Sequence, residues 1–176
     1  MRKTALIVAA WTAFLLVGCD DVASIPPDPY LPLRQAAVKP PTAPTKVINR
    51  ASLEETFRYA AHIHDTMRQY RDVLLATPKD TNLFAGRRSA LLSDDAQWRH
   101  LLYIRQEWMS QGDFTNEHPA RKIRTAIYYL IEESKHLDNV FLHNDPLDPK
   151  FAAATDKAFE EAITALKNYQ DPPAQR

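Results

Sequence analysis

The chain has 176 residues, of which 45% are hydrophobic and 25% charged, and its 22 acidic and 22 basic side chains give no formal net charge. This length and apolar fraction suffice for one domain with its own core, and the charge balance gives no reason to expect nucleic acid as a partner. The single cysteine excludes an intramolecular disulfide, thiolate zinc sites and iron–sulfur clusters. Three glycines are too few for a phosphate-binding loop or a turn-rich β protein, so we expect helices.

Residues 1–18 have the features of a cleaved export signal. A basic start, Arg2-Lys3, precedes the apolar run Ala5–Val17, and a small residue, Gly18, lies before Cys19. A membrane-spanning helix needs about twenty apolar residues, and this run is shorter because two aspartates follow the cysteine at once. We therefore expect cleavage rather than a permanent membrane span.

The four residues Leu16-Val17-Gly18-Cys19 resemble the lipobox of bacterial lipoproteins. In that family the cysteine thiol receives a diacylglyceryl thioether, the signal is cut just before it, and the new amine is often acylated too. The resemblance covers residues 1–19. It implies that Cys19 attaches the protein to a membrane of the bacterial cell envelope and that the rest of the chain faces the periplasm. Two or three acyl chains anchor stably, since each buried methylene contributes about 0.8 kcal/mol. An ordinary signal peptide with an incidental buried cysteine is the alternative.

The residue after the cysteine bears on which membrane holds the anchor. Asp20 in this position is similar to the signal that keeps a lipoprotein in the inner membrane of enteric-type bacteria. The resemblance therefore favours the inner over the outer membrane.

Residues 19–50 form a proline-rich linker that carries seven of the thirteen prolines of the chain. Proline fixes φ and removes a backbone donor, so we predict a disordered, extended spacer between the membrane and a folded domain. The stretch IPPDPYLPL, residues 25–33, is alternatively a proline-rich ligand for a partner. Residues 51–171 form the predicted domain, and residues 172–176 a disordered tail.

Helical periodicity predicts four amphipathic helices within the domain. The first is expected over residues 53–76, behind a capping box formed by Ser52 and Glu55. Thr77-Pro78 ends it, because proline cannot continue a helix.

The second helix is predicted to follow an irregular crossing over residues 78–92. Ser93 is expected to be its N-cap and Gly112 its left-handed stop. Its inner face carries Arg105 among apolar side chains, namely Trp98, Leu101, Leu102, Trp108 and Met109.

The third helix is expected to open between Asn116 and Pro119 and to end between His136 and Asn139. The fourth should begin after Asp148, with proline at its first helical position. Four amphipathic segments of roughly twenty residues, joined by connections of about four to sixteen residues and without an evident internal repeat, predict an all-α, antiparallel four-helix bundle.

Metal or haem binding is one alternative for such a bundle. Glu133 and His136 have the Glu-x-x-His spacing of carboxylate-bridged di-iron bundles, but those sites need the motif twice. His64 is a candidate axial haem ligand with Met67 or His100, although a lone histidine in an apolar stripe is typically a hydrogen-bonded core residue. We expect neither a cofactor nor a metal.

Hydrolytic chemistry has no motif in this sequence. Neither Gly-x-Ser-x-Gly nor His-Glu-x-x-His occurs, and Ser52 and Ser93 are explained as helix caps. Adjacent carboxylates such as Glu132-Glu133 point in different directions on a helix, which is typical of solvated faces. We expect a protein that is not an enzyme; an envelope enzyme whose site is assembled only in space is the alternative.

Protein binding is the function that the side-chain composition favours. Tyrosine, tryptophan and arginine anchor protein interfaces, and the predicted helices carry more of them than one inner face can hold. We predict a partner-binding surface around Arg99, Tyr103, Arg105 and Tyr128, with lateral packing as the alternative. The expected protein is a lipid-anchored accessory subunit of an envelope assembly of the secretion or conjugation type, or an exclusion or immunity lipoprotein, and its partner is an envelope protein.

Overall fold

Four helices account for most of residues 48–171, the part of the chain that this computed structural model describes, and no strand occurs among these residues. The predicted signal, Cys19 and nearly all of the proline-rich linker lie outside the described residues, as do residues 172–176. The helices are α1 (Arg50–Ala76), α2 (Asn82–Ser110), α3 (Pro119–His143) and α4 (Pro149–Asn168).

The third helix is central to the packing, because α3 contacts α1, α2 and α4. Helix α1 also contacts α2 and α4, so these two helices flank the α1–α3 pair. Consecutive helices are joined by short turns and run antiparallel. The predicted all-α four-helix bundle is confirmed.

Different segments of the chain meet at the two ends of the bundle. At one end the Arg50 guanidinium donates to the Tyr169 carbonyl, and the Tyr169 ring lies 4.8 Å from the His118 ring. The start of α1, the end of α4 and the start of α3 therefore meet there, and we call it the entry end. At the far end, Lys79 Nζ donates to Asn144 Oδ1 at 3.3 Å and joins the α1–α2 and α3–α4 turns.

Helix α1 begins at Arg50, one turn before the predicted start, with Asn49 as its N-cap. Asn49 Oδ1 accepts from the Ser52 backbone N–H at 2.9 Å, and Ser52 Oγ accepts from the Asn49 N–H at 3.1 Å. The predicted capping box of Ser52 with Glu55 is therefore wrong, since Ser52 is the third helical residue. The earlier start places Leu53, which is fully buried, one turn inside the helix.

Helix α2 begins at Asn82, where the Thr81 hydroxyl accepts from the backbone N–H three residues on. The predicted irregular crossing over residues 78–92 is wrong for its greater part, and Ser93 lies inside the helix rather than at its cap.

Burial explains why α2 extends so far. The added turns bury Phe84 and Leu91, and burying a side chain of this size stabilises the fold by about 1.5–3 kcal/mol. Gly86 lies within these turns, and a glycine costs only about 1 kcal/mol relative to alanine in a helix. The free energy gained by burying Phe84 and Leu91 therefore exceeds the cost of placing a glycine in the helix.

Gly112 does not end α2 in the left-handed conformation. The cap residue Gln111 is right-handed, with φ −74°, and the left-handed residue among those described is Asn144, with φ 59°, at the end of α3. Gly112 has a different role, because a Cβ added there would overlap the ring of Phe114. The glycine permits that ring to lie against the turn.

The two remaining helices follow the sequence pattern closely. Helix α3 begins at Pro119, within the predicted window, but continues to His143 because Val140 and Phe141 add a buried turn. The start of α4 is confirmed: the Asp148 carboxylate accepts from the Lys150 backbone N–H at 2.9 Å, and proline follows at the first helical position.

None of the helices within residues 48–171 is long and apolar enough to cross a membrane.

The core runs along the inner faces of all four helices. The largest fully buried apolar side chains are Leu53, Leu74, Leu102, Met109, Ile123, Ile127, Leu130, Ile131 and Leu137.

Candidate functional site

An open groove lies between the outward faces of α2 and α3, on the entry-end half of the bundle. Its volume is about 440 Å³, within the range of ligand clefts. We call it the tyrosine groove; its lining includes Tyr103, Gln106 and Glu107 of α2 with Arg124, Tyr128 and Tyr129 of α3.

Helical spacing gathers these side chains. On α2 the lining positions 103, 106, 107 and 110 recur at steps of three and four, so they form one stripe. Leu102 and Met109, about 100° round the helix from this stripe, are buried in the core. The groove is therefore the solvent side of the same amphipathic pattern that folds the helix.

Three large aromatic side chains remain exposed in the groove. The exposed fractions are 46% for Tyr103, 53% for Tyr128 and 38% for Tyr129. The rings of Tyr128 and Tyr129 are 5.3 Å apart at 72°, an edge-to-face pair. Tyrosine offers an apolar ring and a hydroxyl at low entropy cost, which is why it is common at the centre of protein interfaces.

The walls of the groove are tied together by polar contacts. Gln106 Nε2 donates to the Arg124 backbone carbonyl at 3.1 Å, from one helix to the other. Beside Tyr103, the pKa of Lys135 is raised, first by its hydrogen bond to Glu132 and in part by the Tyr103 hydroxyl. These contacts hold the two helices in register beneath the exposed rings.

The four residues of the predicted surface fall into two pairs. Tyr103 and Tyr128 line the tyrosine groove together. Arg105 is only 3% exposed; its guanidinium lies 3.8 Å from Glu55 and 5.4 Å from the centre of the Trp108 ring. Arg105 therefore belongs to the interior.

Arg99 belongs to a polar cluster between α2 and α3. Its guanidinium donates to Asp95 Oδ2 at 2.9 Å, to Asp138 Oδ2 at 2.7 Å and to Ser134 Oγ at 2.8 Å. Trp98 Nε1 donates to the other oxygen of Asp95 at 2.9 Å. Burial raises the pKa of Asp95 to about 6, against the opposing effects of the Ser134 hydrogen bond and the Arg99 charge.

A second buried carboxylate faces α1. Glu133 is 2% exposed, and neither of its carboxylate oxygens has a hydrogen-bond partner within the described residues. Its nearest cations are Arg68 Nε at 4.0 Å and Arg71 Nη1 at 3.9 Å. Arg68 also pairs with Asp156 of α4 at 2.6 Å, so these charges link three helices.

The histidines weighed as ligands have structural contacts. His64 stacks on Phe159 with ring centres 4.6 Å apart, and burial is the main cause that lowers its pKa. His136 Nε2 accepts from the Asp148 backbone N–H at 2.9 Å and stacks on Phe151, which fixes the start of α4. Within residues 48–171, no three His, Cys, Asp or Glu side chains are placed to hold a metal together.

A second groove, of about 590 Å³, lies between α3 and α4 at the entry end. Lys122 and Glu161 pair across it at 3.0 Å. His118 stands at its edge, stacked on Phe114 at 4.2 Å, and its Nδ1 accepts from the Ala120 backbone N–H at 3.1 Å. Its lining includes the half-buried Tyr169 and none of the three exposed tyrosines of the tyrosine groove.

Exposed apolar side chains also occur at the far end. Both turns there and the adjoining helix ends expose leucines, which gives that end a different character from the tyrosine groove. The residues are Leu75, Leu83, Leu142 and Leu147.

Sequence reasoning missed part of the groove. Tyr129, Gln106 and Arg124 were not among the predicted surface residues, although they line the groove beside the two tyrosines that were. The signal was present: Gln106 is three residues after Tyr103, and Arg124 is four residues before Tyr128.

Comparisons with known proteins return no match, whether against protein-family models, curated proteins or solved structures.

Proposed function

We propose that this chain is a lipid-anchored protein of a bacterial cell envelope whose helical bundle faces the periplasm and binds another envelope protein. The observation that carries the binding function is the cluster of three exposed tyrosines, Tyr103, Tyr128 and Tyr129, in one groove. Large aromatic side chains cost free energy when they remain in water, and their burial against a partner recovers it.

The anchor is supported by the lipobox at Cys19. The first described residues precede α1 at the entry end, so a lipid on Cys19 attaches to that end through the proline-rich linker. The tyrosine groove lies on the same half of the bundle.

Two biological classes fit this arrangement equally. One is an accessory subunit of an envelope assembly of the secretion or conjugation type, which holds a second component of that assembly. The other is an exclusion or immunity lipoprotein, which binds and blocks an incoming factor. Both require a specific protein partner, and the identity of that partner separates them.

Capture from crosslinked cells tests the binding function. The full chain, expressed with its own signal, is crosslinked in intact cells and purified with its covalent partners. We expect one specific envelope protein, and we expect the double substitution Tyr103→Ala and Tyr128→Ala to reduce its recovery at least tenfold, since aromatic anchors contribute about 2 kcal/mol or more each.

A matched control replaces exposed apolar residues at the far end, Leu83→Ala with Leu147→Ala, and should leave recovery unchanged. Loss of the partner in this control but not in the tyrosine variant would overturn the assignment of the groove. Recovery of no specific envelope protein from the unsubstituted chain would overturn the binding function.

The anchor has its own test. Cys19→Ser should abolish labelling with palmitate and release the protein from the membrane fraction, because the thiol is the site of acylation. Unchanged processing and sedimentation of this variant would overturn the lipid anchor and leave the groove unaffected.

A further inference from the structure

We propose that, when no other protein is bound, the tyrosine groove holds a second copy of this chain in a two-fold dimer whose axis runs parallel to α2 and α3. The inference goes beyond the proposed function, because it concerns the same groove in the absence of an envelope partner. Since both contacts use the same exposed rings, such a partner has to displace the second copy.

Antiparallel packing places the groove residues of the two helices in rows. Gln106 of α2 donates to the Arg124 backbone carbonyl of α3, so positions 106, 107 and 124 lie at about the same height along the bundle. Tyr103 comes about one turn earlier on α2, and Tyr128 comes one turn later on α3. Because the helices run in opposite directions, these two tyrosines share the neighbouring row. The groove therefore has a charged row and an aromatic row.

The charged row has opposite signs on its two walls. Glu107 on α2 is acidic and Arg124 on α3 is basic, and they are the charged residues of the groove lining. Neither side chain has an ion-pair partner within residues 48–171. A groove with one acidic wall and one basic wall is complementary to a copy of itself.

The charged residues that flank the lining have contacts of their own. Beside Tyr103, Lys135 pairs with Glu132 at 2.8 Å, and this pair adds no net charge at that edge of the groove. Arg121, one turn before Arg124 on α3, donates to the Phe114 carbonyl at 3.4 Å and has the same sign as Arg124. The flanking charges therefore leave the α3 wall basic.

This pattern selects one orientation of the two copies. A two-fold axis parallel to the helices lays α2 of each copy against α3 of the other at the same height. Glu107 then meets Arg124 of the second copy twice, and Tyr103 likewise meets Tyr128 twice. A two-fold axis perpendicular to the helices lays each helix against its own copy, which brings like charges together at considerable cost. The parallel axis pairs both charges and both aromatic side chains.

The aromatic row supplies the apolar part of the contact. Tyr103, Tyr128 and Tyr129 are all exposed, so two copies bring six aromatic rings into one interface. Removing these rings from water is favourable, and tyrosine is enriched at the centre of protein interfaces because its hydroxyl can still form hydrogen bonds there. The tyrosines therefore stabilise the dimer, and the charged row sets its orientation.

Charge reversal in the full chain, expressed with its own signal and purified in detergent, tests the proposal. Sedimentation equilibrium measures the dissociation constant of the dimer. Glu107→Arg and Arg124→Glu each place like charges at both symmetric contacts, so we expect each variant to raise this constant at least tenfold.

Two further samples should restore the dimer. The double variant, Glu107→Arg with Arg124→Glu, exchanges the two charges and should dimerise as the unsubstituted chain does. An equimolar mixture of the two single variants should also dimerise, because each copy then carries the charge that the other lacks.

Arg58→Glu is the matched control. Arg58 is exposed on α1, so this substitution makes the same change of charge as Arg124→Glu but outside the groove. It should leave the dissociation constant unchanged. Circular dichroism should show the same helix content in all variants, which separates loss of the dimer from loss of the fold.

The possible results lead to different conclusions. A monomer at every concentration, or a dimer of equal stability in all variants, as two lipid anchors sharing one micelle would give, would overturn the inference. Loss of the dimer in both single variants without recovery in their mixture would overturn it as well. If a specific envelope partner is recovered while the chain is monomeric, the proposed function stands and this inference falls. The expected pattern of dimers without any specific partner would support this inference and overturn the binding function.

Discussion

Ser134 Oγ donates a hydrogen bond to Asp95 Oδ2 at 2.7 Å, from α3 to α2. Arg99 and Trp98 also donate to this carboxylate, so a buried acid has donors on both of its oxygens. The preceding residue of α3, Glu133, turns its carboxylate toward α1, where neither oxygen has a hydrogen bond within the described residues. Two successive residues of α3 thus face two different helices. Ser134 is hydrogen-bonded to α2, whereas the carboxylate of Glu133 faces α1 without a hydrogen bond from the described residues.

The Asp95 cluster should make stability fall as pH rises. Burial raises the pKa of Asp95 to about 6, whereas an unfolded aspartate titrates near 4. Between these values the folded state binds more protons than the unfolded state, so the contribution of Asp95 to the free energy of unfolding decreases with pH.

Asp95→Asn isolates this effect, because the amide cannot ionise and still offers an oxygen to Trp98. We expect the free energy of unfolding of the variant, relative to the wild type, to rise by up to about 3 kcal/mol between pH 4 and pH 7. Urea denaturation at several pH values measures the difference. Asp113→Asn, an exposed position, is the control, and a flat difference for Asp95→Asn would contradict the prediction.

His118 should make the stability of the fold decrease as pH falls, which is the opposite of the effect of Asp95. Its Nδ1 accepts from the Ala120 N–H at 3.1 Å and caps α3, and burial lowers its pKa. A protonated ring cannot accept this bond. Because the unfolded state binds the proton more readily, the stability that His118 provides is present above about pH 6.5, the unfolded pKa, and is lost as pH falls through the lowered folded value.

The substitution His118→Asn separates the cap from the titration, since asparagine is a good N-cap at any pH. We expect the wild type to lose stability relative to the variant as pH falls from 7 to 5, measured by thermal unfolding. An equal pH dependence of both proteins would show that the His118 cap is not lost by protonation.

How far the sequence predicts this fold depends on whether local or distant contacts decide each feature. The start of α4 was predictable because Asp148 and the following proline act within one turn. The first turns of α2 were not, because Phe84 is helical on account of its burial against Phe141, which lies far along the chain at a ring distance of 6.3 Å. The irregular crossing predicted over residues 78–92 was wrong because that long-range packing is not visible in the local sequence.

The same distinction applies to the candidate site. Exposure of Tyr103 and Tyr128 followed from counting aromatic residues against the width of one inner face. The position of Arg99 did not, because its three acceptors lie on two helices and the sequence does not show which helices are neighbours. An arginine in an aromatic stretch is typical of an interface, but the pattern does not distinguish a contact between two helices of the bundle from a contact with another protein.

The two glycines within the described residues should respond to alanine with opposite signs. Gly86 lies inside α2 with no atom within 4 Å of an added Cβ, so Gly86→Ala should stabilise the protein by about 1 kcal/mol. At Gly112 the added Cβ would overlap the Phe114 ring, which is stacked on His118, so Gly112→Ala should cost about 1 kcal/mol or more. Melting temperatures of both variants measure this, and shifts of the same sign would contradict it.

The buried charges around Glu133 should respond asymmetrically to removal of either partner. Arg68 donates to the Ala152 carbonyl at 3.0 Å and pairs with Asp156 at 2.6 Å, so it keeps partners when Glu133 is replaced. Burial removes the Glu133 carboxylate from water at a cost in free energy, and its nearest cations are about 4 Å away, too far for a hydrogen bond. Glu133→Met, which is similar in volume, should therefore be neutral or stabilise by about 1 kcal/mol.

The reciprocal substitution Arg68→Met should cost about 3 kcal/mol, because it removes a nearby cation from a buried carboxylate and leaves Asp156 without its closest partner. Urea unfolding at pH 7 compares the two variants. A larger loss for Glu133→Met than for Arg68→Met would mean that the carboxylate stabilises the bundle in spite of its lack of hydrogen bonds. If the prediction holds, the double variant should regain part of the stability lost in Arg68→Met, since the buried carboxylate is then absent as well.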